Sequence, residues 1–469
     1  MSASKNIAIV GGGWAGMAAA VAGTQAGHQV TVFEASKALG GRARLVEGTL
    51  PDGTPVTLDN GQHILIGAYS HTLQLMQQVG VNLNKALLRL PLTLQFPDKK
   101  GLKLPDWPPS LAPMDAAWAI ATVRGWSWGD KLSLLRAAAG WRRAGFTCLH
   151  HLSVAQLCHK TQPALTARVM AELIEPLCVS ALNTSAHDAS AQVFLRVLQD
   201  AMFSKSVKVN DAINDATVFG SSNLLLPTRD LSNLFPHAAA SWLLQHGGRI
   251  RLSERVSTLE FDATGWQVCS ASGKQPFEAV ILAGSPSNMA SVGINTAYTA
   301  TNSIAINKIA IELNHLIQRE STAWQASAKA LQFEAITTVY AHAPGVRLAQ
   351  PMLTLRSDAN NPAQFVFDRG QLGGPAGLLA FVISASQGER EVLQQQVLAQ
   401  GAAQLGLMDL QAVQTIVEKR ATFACTPGLQ RPNALIAPGL LVCGDYVDGP
   451  YPATLEGAVR SAQQAVALL

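Results

Sequence analysis

Charged residues are scarce in this chain of 469 residues. Asp, Glu, Lys and Arg together make up 14% of it, whereas about 25% is typical of soluble proteins. Since 48% of the residues are hydrophobic, the composition excludes an intrinsically disordered chain, which has high net charge and few apolar residues. The formal net charge of +4 is too small to indicate a nucleic-acid partner, which usually requires a concentrated basic face.

Cysteine and long hydrophobic runs are sparse too. The six cysteines form no C-x-x-C pair, and no Cys and His residues have the spacing of a zinc site. No metal site is therefore predicted, and reduced, mostly buried thiols are favoured. Charges interrupt the apolar stretches well short of the roughly 18 residues that span a bilayer, and no signal-peptide pattern is present. We expect a cytoplasmic protein and leave contact with the membrane surface open.

A glycine-rich turn follows the first predicted strand, Lys5–Val10, and opens a predicted helix, Ala15–Ala26. Its sequence, GGGWAG, fits G-x-G-x-x-G. Gly11 permits the tight turn, Gly13 lets the backbone approach a pyrophosphate, and Gly16 lets the helix pack on the strand. The diphosphate would lie at the positive N-terminus of the helix. This arrangement predicts dinucleotide binding.

The next strand, Gln29–Glu34, ends in a carboxylate that is placed to accept hydrogen bonds from a ribose diol. The same charge repels a 2′-phosphate, which disfavours NADP. The sequence LGGRA follows, in which Gly41 lets the backbone pass close to a ligand and Arg42 could neutralise a diphosphate. Taken alone, this segment could be an ordinary turn. Directly after Glu34, it favours FAD over NAD.

Two further stretches could face the cofactor. In DNGQH, Asp59 and His63 are candidate proton donors, although His63 could equally be a hydrogen-bonded structural residue. Near the C-terminus, a predicted strand at Leu440–Cys443 precedes Asp445, a turn containing the third candidate donor, Tyr451, and a helix from about Thr454. Asp445 could accept a bond from a ribityl hydroxyl, and the helix N-terminus could stabilise an anionic reduced flavin. The alternative is a capped surface helix.

The alternation of strands and helices indicates an α/β protein with a parallel sheet. We predict a discontinuous Rossmann-like FAD-binding domain interleaved with an α+β substrate-binding domain. The first comprises residues 1–80, 215–290 and 420–469, and the second comprises residues 81–214 and 291–419. Further strands are predicted at Arg249–Leu252, Thr258–Phe261, Trp266–Ser270, Ala279–Ala283, Ser303–Leu313, Gln364–Asp368 and Gly377–Ser384, and helices over 153–203 and Arg390–Leu405.

Residues 107–146 have an unusual composition. They contain five of the nine tryptophans, five basic residues and two acidic residues. Tryptophan and basic residues on helical segments are typical of a helix that lies in a membrane interface. An ordinary amphipathic layer whose tryptophans pack inward is the alternative.

Together these motifs resemble the flavin-containing amine oxidase and phytoene desaturase superfamily. Its signature is the N-terminal fingerprint, a G-G-R-A stretch, a D-x-G-x-H stretch and a C-terminal G-D…E-G-A helix. The resemblance spans nearly the whole chain and implies an amine-oxidase-like fold with FAD bound non-covalently. The family's flavin contacts carry over to Gly11, Gly13, Gly16, Glu34, Gly41, Arg42, Asp445 and Glu456, and Val256 matches the position whose backbone meets the adenine.

The stretches at 59–65, 172–183 and 443–461 resemble one branch, the squalene-associated flavoproteins of hopanoid biosynthesis. This resemblance implies FAD-dependent removal of the hydroxyl group of hydroxysqualene to give squalene. It also implies an apolar C30 isoprenoid substrate and its hand-over from a squalene-pathway synthase.

Two alternatives remain. A carotenoid desaturase or amine oxidase would use the flavin in the opposite redox direction, although the five tyrosines of the chain are few for the aromatic cage of an amine oxidase. Some prenyl-binding escort proteins share the fold without using flavin. The predicted roles of Asp445 and Glu456 argue against an escort, which needs no helix facing a flavin.

Overall fold

The computed structural model describes residues 3–204, 207–209, 217–296 and 304–469. The strands in these ranges, in chain order, are Asn6–Val10 (β1), Gln29–Phe33 (β2), Leu45–Thr49 (β3), Pro55–Asp59 (β4), Leu65–Ile66 (β5), Leu87–Leu90 (β6), Thr93–Gln95 (β7), Gly101–Lys103 (β8), Val207–Val209 (β9), Thr217–Phe219 (β10), Leu224–Pro227 (β11), Arg249–Arg251 (β12), Val256–Asp262 (β13), Gly265–Ser270 (β14), Gly273–Phe277 (β15), Ala279–Leu282 (β16), Gly293–Thr296 (β17), Phe333–His342 (β18), Met352–Thr354 (β19), Phe365–Asp368 (β20), Leu378–Ile383 (β21), Gln411–Phe423 (β22), Leu435–Ala437 (β23) and Leu440–Val442 (β24).

The α-helices in the same ranges are Trp14–Gln25 (α1), Ser70–Gln78 (α2), Leu83–Ala86 (α3), Met114–Thr122 (α4), Trp128–Arg143 (α5), Val154–Lys160 (α6), Ala167–Val169 (α7), Glu175–Leu182 (α8), Ala191–Phe203 (α9), Leu231–Leu234 (α10), Pro236–Gln245 (α11), Pro286–Met289 (α12), Ile304–Ala330 (α13), Arg390–Leu405 (α14) and Leu455–Ala467 (α15). A π-helical turn at Met170–Ile174 joins α7 to α8. Of the helices that the structure describes, none is long and apolar enough to cross a membrane.

A six-stranded sheet in the order β12-β2-β1-β16-β24-β23 forms the centre of the fold. Its first five strands are parallel, and β23 is antiparallel at the edge. Helix α1 is buried on almost every side because it packs between this sheet, α11 and α15. The small side chains of Ala18, Ala19 and Ala20 permit this close packing, and all three are fully buried. The fold is therefore α/β, as predicted.

A second, five-stranded antiparallel sheet in the order β19-β20-β21-β18-β22 is built from residues 333–423. The strands of the central sheet all lie within the three ranges predicted for the FAD-binding domain. The predicted boundary at residues 419 and 420, however, falls inside β22. The short sheet β5-β11-β6 also pairs strands from both predicted domains. The domain division stays a prediction, and the boundary at residues 419 and 420 does not coincide with the end of an element.

Most of the elements predicted from periodicity are found within about two residues of their predicted bounds. Residues 153–203 are mostly helical, as predicted, but the helical stretch has breaks after α6 and after α8. One break follows α8, where Asn183 takes a left-handed conformation with φ of 47°. Another precedes α7, where Pro163 interrupts the chain. Such residues end helices because they cannot continue the helical backbone.

The prediction of a strand at Ser303–Leu313 is wrong, because residues from Ile304 onward form the long helix α13. The alternating isoleucines of this segment suggested a period of two. The longer pattern has helical spacing, and its buried positions Ala310, Ile317, Ser321, Trp324 and Ala328 lie on one face. A window of eleven residues was too short to distinguish the two periods.

Candidate active site

The first glycine segment forms a cradle between β1 and α1. Gly11 has φ of +117°, a conformation that favours glycine. A Cβ atom on Gly16 would lie 1.9 Å from the carbonyl oxygen of Gly11, so no larger residue fits there. Helix α1 begins after Gly13 with no side-chain cap and no acidic residue in its first turn. Its free N–H groups and positive end therefore remain available to an anion.

The second glycine segment lies directly against the first. The N–H group of Gly40 donates to the carbonyl oxygen of Gly12 at 2.9 Å, and Gly13 and Gly40 form an isolated parallel bridge. A Cβ atom on Gly41, where φ is +60°, would lie 3.2 Å from the Cα atom of Gly13. The two backbones touch because neither has side chains between them, and together they form one wall of the cradle.

Glu34 organises the cradle from the end of β2. Its Oε2 accepts from the N–H group of Gly12 at 2.6 Å, and its Oε1 accepts from that of Ser36 at 2.7 Å. The segment after β12 lies next to Glu34, because the N–H group of Glu254 donates to the carbonyl oxygen of Glu34. This contact brings Val256, at the start of β13, to the same edge as Glu34.

Arg42 and Asp445 close the cradle from opposite ends of the chain. Nη2 of Arg42 lies 2.6 Å from Oδ1 of Asp445, and its Nη1 donates to the carbonyl oxygen of Ala421 at 2.6 Å. Burial opposes the charge of Arg42, but the carboxylate of Asp445 leaves the pKa of the guanidinium raised. Arg42 therefore stays charged between the second glycine segment and the C-terminal segment.

His63 is partly buried, and burial lowers its pKa, with a smaller contribution from the positive charge of Arg42. Its Nδ1 lies 2.9 Å from the carbonyl oxygen of Gly61. Because that oxygen only accepts, Nδ1 carries the proton in the neutral ring and Nε2 is left as an acceptor. In this state His63 is a base rather than a proton donor.

Asp59 is almost completely buried in a polar cluster below the cradle. Its Oδ1 accepts from the N–H group of Leu231 at 2.7 Å, and its Oδ2 lies 3.7 Å from Nη2 of Arg369. The hydroxyl group of Tyr340 donates to the backbone carbonyl oxygen of Asp59, while Arg369 also donates to Gln62. Burial raises the pKa of Asp59 to about 6 despite the nearby Arg369.

Tyr451 lies in the turn before α15 and is buried. Its ring meets that of Tyr69 edge to face, with centroids 6.1 Å apart, and the guanidinium of Arg460 lies 4.7 Å from its centroid. Burial and the carboxylate of Asp200 raise the pKa of Tyr451, so its hydroxyl group stays protonated throughout the neutral range. Asp200 is itself paired with Arg196 at 2.8 Å.

Comparison with known proteins identifies the architecture. The family model of flavin-containing amine oxidoreductases matches residues 14–469. The chain belongs to this family. Since a flavin in a dinucleotide cradle is FAD, the cofactor is FAD, and the protein is an FAD-dependent oxidoreductase rather than a non-catalytic escort.

Two curated relatives match the chain from end to end. It is 23% identical to a hydroxysqualene dehydroxylase of Sinorhizobium fredii and 25% identical to one of Rhodopseudomonas palustris, and each alignment covers 99% of this chain and 98% of the relative. A zeta-carotene desaturase of Synechocystis is 40% identical, but over 17% of this chain and 16% of its own.

Solved structures share the fold. An oxidoreductase from Methanosarcina mazei superposes with a TM-score of 0.68 and 14% identity, covering 98% of this chain and 99% of its own. A cyclohexylamine oxidase from Brevibacterium oxydans gives a TM-score of 0.62 and 16% identity, covering 99% of this chain and 98% of its own.

The residues of the cradle fit FAD. The uncapped N-terminus of α1 and the glycines beside it accommodate a diphosphate, and Glu34 lies where a ribose would be bound. Arg42 supplies a positive charge, and Asp445, paired with it, supplies an acceptor. The individual contacts of these residues with the cofactor stay predictions, but the structure brings the two glycine segments, Glu34 and Asp445 together.

Glu456 makes contacts that the sequence did not indicate. Its carboxylate is fully buried and accepts from the N–H groups of His71 and Thr72, from the hydroxyl group of Thr72, and from Arg460. These partners occupy both oxygen atoms and fix α15 to the first turn of α2. Direct contact with flavin stays a prediction, and these bonds give Glu456 a role in positioning the two helices.

Several residues of the site were missed by sequence reasoning. Asp200 and Arg460, which contact Tyr451, lie on helices whose pattern shows only an apolar face. Arg369 and Tyr340, which contact Asp59, lie on and beside strands of the five-stranded sheet. Each is a single polar residue without a motif, so nothing in its local sequence distinguishes it from a surface residue.

Proposed function

We propose that the protein catalyses the reductive removal of the hydroxyl group of hydroxysqualene, giving squalene. The observation that carries this proposal is the extent of similarity. The two hydroxysqualene dehydroxylases match both the cradle and the remainder of the chain, whereas the zeta-carotene desaturases match less than a third of it. The remainder contains the segments that would distinguish substrates.

The substrate class agrees with the composition. A C30 isoprenoid offers no charge for recognition, so binding must come from burial of hydrocarbon, at roughly 25 cal/mol per Å². A chain with 14% charged residues provides a correspondingly apolar interior. The hydroxyl group of hydroxysqualene is allylic, and its protonation and departure as water leave a delocalised cation. The cradle of Gly11, Gly13 and Glu34 would hold FAD, whose reduced form would supply the hydride needed to neutralise such a cation.

We infer that Tyr451 is the proton donor. His63 is neutral at neutral pH, and its one N–H group faces the carbonyl oxygen of Gly61. Asp59 is largely ionised above its pKa of about 6 and is held by Leu231. Tyr451 retains its proton, and because the same burial makes it a weak acid, donation requires stabilisation of the phenolate. The substrate hydroxyl would replace Asp200 as the group facing its O–H, and Arg460 would stabilise the phenolate that forms.

The proposed function also implies a location for the protein and a source of its substrate. The protein would act in the cytoplasm at the membrane surface, because both substrate and product dissolve in lipid. An enzyme that makes C30 isoprenoid alcohols would supply the substrate directly. The FAD-binding residues assigned from the sequence and the division into two domains are part of this proposal.

The test is an anaerobic single turnover with dithionite-reduced protein and hydroxysqualene in detergent. The expected result is reoxidation of the flavin band near 450 nm together with one equivalent of squalene in the lipid extract. A flavin that stays reduced while substrate remains intact would contradict the proposal. In that case the local similarity to zeta-carotene desaturases favours desaturation, tested with oxidised protein and a polyene.

A further inference from the structure

A group of large apolar side chains is exposed to solvent in one part of the chain. We call it the tryptophan face, and its members are Trp107, Leu111, Met114, Trp118, Trp128 and Leu132. Trp128 is 72% exposed, Met114 63% and Trp118 54%. The rings of Trp107 and Trp118 contact each other, with centroids 6.0 Å apart. Isolated apolar residues are normal on a protein surface, but a contiguous group usually marks an interaction site.

Helix α4 presents an apolar stripe to solvent. Its exposed residues are Met114, Ala117, Trp118, Ala121 and Thr122, which have the spacing of one helical face. A surface helix of a globular protein normally places polar residues on this face. The opposite face contacts the protein through Ala119 and Ile120, so the helix is apolar on both sides.

Helix α5 extends the tryptophan face. Nζ of Lys131 donates to the carbonyl oxygen of Ala121, which joins the first turn of α5 to the end of α4. Trp128, Leu132 and Arg136 are exposed at successive turns of α5. The exposed face of α5 is therefore apolar in the turns beside α4 and basic in the turns toward the C-terminus of α5.

The charges exposed within residues 107–146 are of one sign, and the acidic Asp106, which is exposed beside Trp107, is paired with Arg89. Both acidic residues of 107–146 are buried, and Asp130 is engaged by Ser127 and Thr166. The basic residues of this segment lie partly or fully at the surface, namely Arg124, Lys131, Arg136, Arg142 and Arg143. Lys131 also lies over the ring of Trp128, 5.0 Å from its centroid. Tryptophan flanked by basic residues matches the interface of an anionic membrane.

The exposure is selective, because two other tryptophans of the same segment are buried. Trp126 is 6% exposed and its Nε1 donates to Glu172, while Trp141 is 7% exposed. Tryptophan can therefore be buried in this segment. An amphipathic layer whose tryptophans pack inward, the alternative given above, accounts for Trp126 and Trp141 only. The side chains of Trp107, Trp118 and Trp128 are exposed to solvent.

We propose that the tryptophan face docks on the surface of an anionic lipid bilayer. Trp107 and Trp118 would enter the headgroup region, and the basic residues of α5 would contact lipid phosphates. The tryptophan face is connected to the surroundings of Tyr451. Trp107 and Ser221 line one cavity, and the hydroxyl group of Ser221 donates to the carbonyl oxygen of Ala201, which follows Asp200 in the chain. Docking itself does not depend on the proposed activity, although it would deliver a lipid-soluble substrate beside Tyr451.

The test is flotation of the full-length holoprotein with vesicles of phosphatidylcholine alone or with 30% phosphatidylglycerol, at about 0.1 M salt. We expect flotation with the anionic vesicles, and at least tenfold weaker partitioning of a Trp118→Ser, Trp128→Ser variant. Arg136→Glu, Arg143→Glu should weaken anionic partitioning specifically. The matched control is Leu244→Ser, Met408→Ser, which removes equally exposed apolar side chains elsewhere and should float like the parent.

Several outcomes would overturn the proposal. One is a folded parent that does not float with anionic vesicles, and another is a tryptophan variant that floats like the parent. A third is a lipid-free dimer, seen by light scattering, that the tryptophan substitutions dissociate, since the face would then be a contact between two copies. Turnover with substrate in detergent separates docking from the proposed activity, because the tryptophan variant should retain it.

Discussion

Nη2 of Arg42 lies 2.6 Å from Oδ1 of Asp445, although 403 residues separate them in the chain. The same guanidinium reaches the carbonyl oxygen of Ala421. One side chain thus joins the second glycine segment to β22 and to the segment after β24. Arginine suits this position because its planar group can bond to two acceptors at once, which the point charge of lysine cannot reproduce.

Substitution Arg42→Lys should weaken FAD binding about tenfold or more, because one of the two bonds is lost and the glycine segment is held less firmly. The dissociation constant of FAD, measured by quenching of its fluorescence on adding apoprotein, checks this. Arg420→Lys is the matched control, because Arg420 is exposed. Equal affinity of the Arg42 variant and the parent would remove Arg42 from the cofactor site.

Substitution Glu34→Ala should weaken FAD binding by about ten- to a hundredfold. The change removes two charge-assisted bonds to backbone N–H groups, each worth about 1.5–3 kcal/mol, besides the predicted bond to ribose. Glu34→Gln keeps an acceptor for one N–H group, so its affinity for FAD should lie between those of the parent and of Glu34→Ala. Occupancy is measured from the ratio of absorbance at 450 and 280 nm after purification, and unchanged occupancy in Glu34→Ala would count against this role.

Substitution Glu456→Gln should lower the free energy of unfolding by about 2–4 kcal/mol, because the amide would turn its NH₂ group toward buried N–H donors and leave Arg460 without its partner. Chemical denaturation of the apoprotein measures this. Glu320→Gln removes an exposed carboxylate paired with Arg319 and should change stability by less than about 0.5 kcal/mol. Equal midpoints for parent and Glu456→Gln would show that the contacts with α2 contribute little.

The contribution of Asp59 to the stability of the parent should decrease as pH rises from about 4 to 6. The folded-state pKa of Asp59 is about 6, against an ordinary value of 3.8, so the native state binds a proton more tightly than the unfolded state across this interval. The difference corresponds to about 3 kcal/mol. Asp59→Asn should remove this part of the pH dependence, measured as the difference between parent and variant unfolding curves. Parallel curves would contradict it.

Substitution Tyr451→Phe should reduce the rate of the single turnover by about a hundredfold or more if Tyr451 donates the proton, while FAD occupancy stays at the parental level. Tyr69→Phe is the control, since its ring packs against Tyr451 and it is assigned no proton transfer. A Tyr451→Phe variant with the parental rate would transfer the role to another group.

The sequence allowed prediction of the parts of this molecule that depend on local backbone requirements. Gly11, Gly16 and Gly41 are necessary because a side chain at each would clash or require a disfavoured backbone conformation, and such requirements are visible in a motif. Glu34 follows β2 directly, as the pattern of the strand indicated.

Prediction was weaker where the partner is distant in the chain. The contact of Glu456 with flavin stays a prediction, whereas the bonds of its carboxylate to α2, 384 residues away, were not predicted. Asp59 was recognised as a candidate acid, but Tyr340, on β18 of the five-stranded sheet, and Arg369, directly after β20, determine its environment. The helix α13 was mistaken for a strand because its first residues alternate, and its buried face is defined only by contacts with the rest of the fold.

The central sheet also determines when the cofactor can be acquired during synthesis. Strand β16 lies between β1 and β24 in this sheet. Residues 6–10 of β1 therefore leave the ribosome long before β24, which extends the sheet on the far side of β16. Until Asp445 emerges, Arg42 lacks its carboxylate and the cradle has only one of its walls. FAD is therefore expected to enter after translation has passed this point, and chains that end prematurely would remain colourless and open to proteolysis.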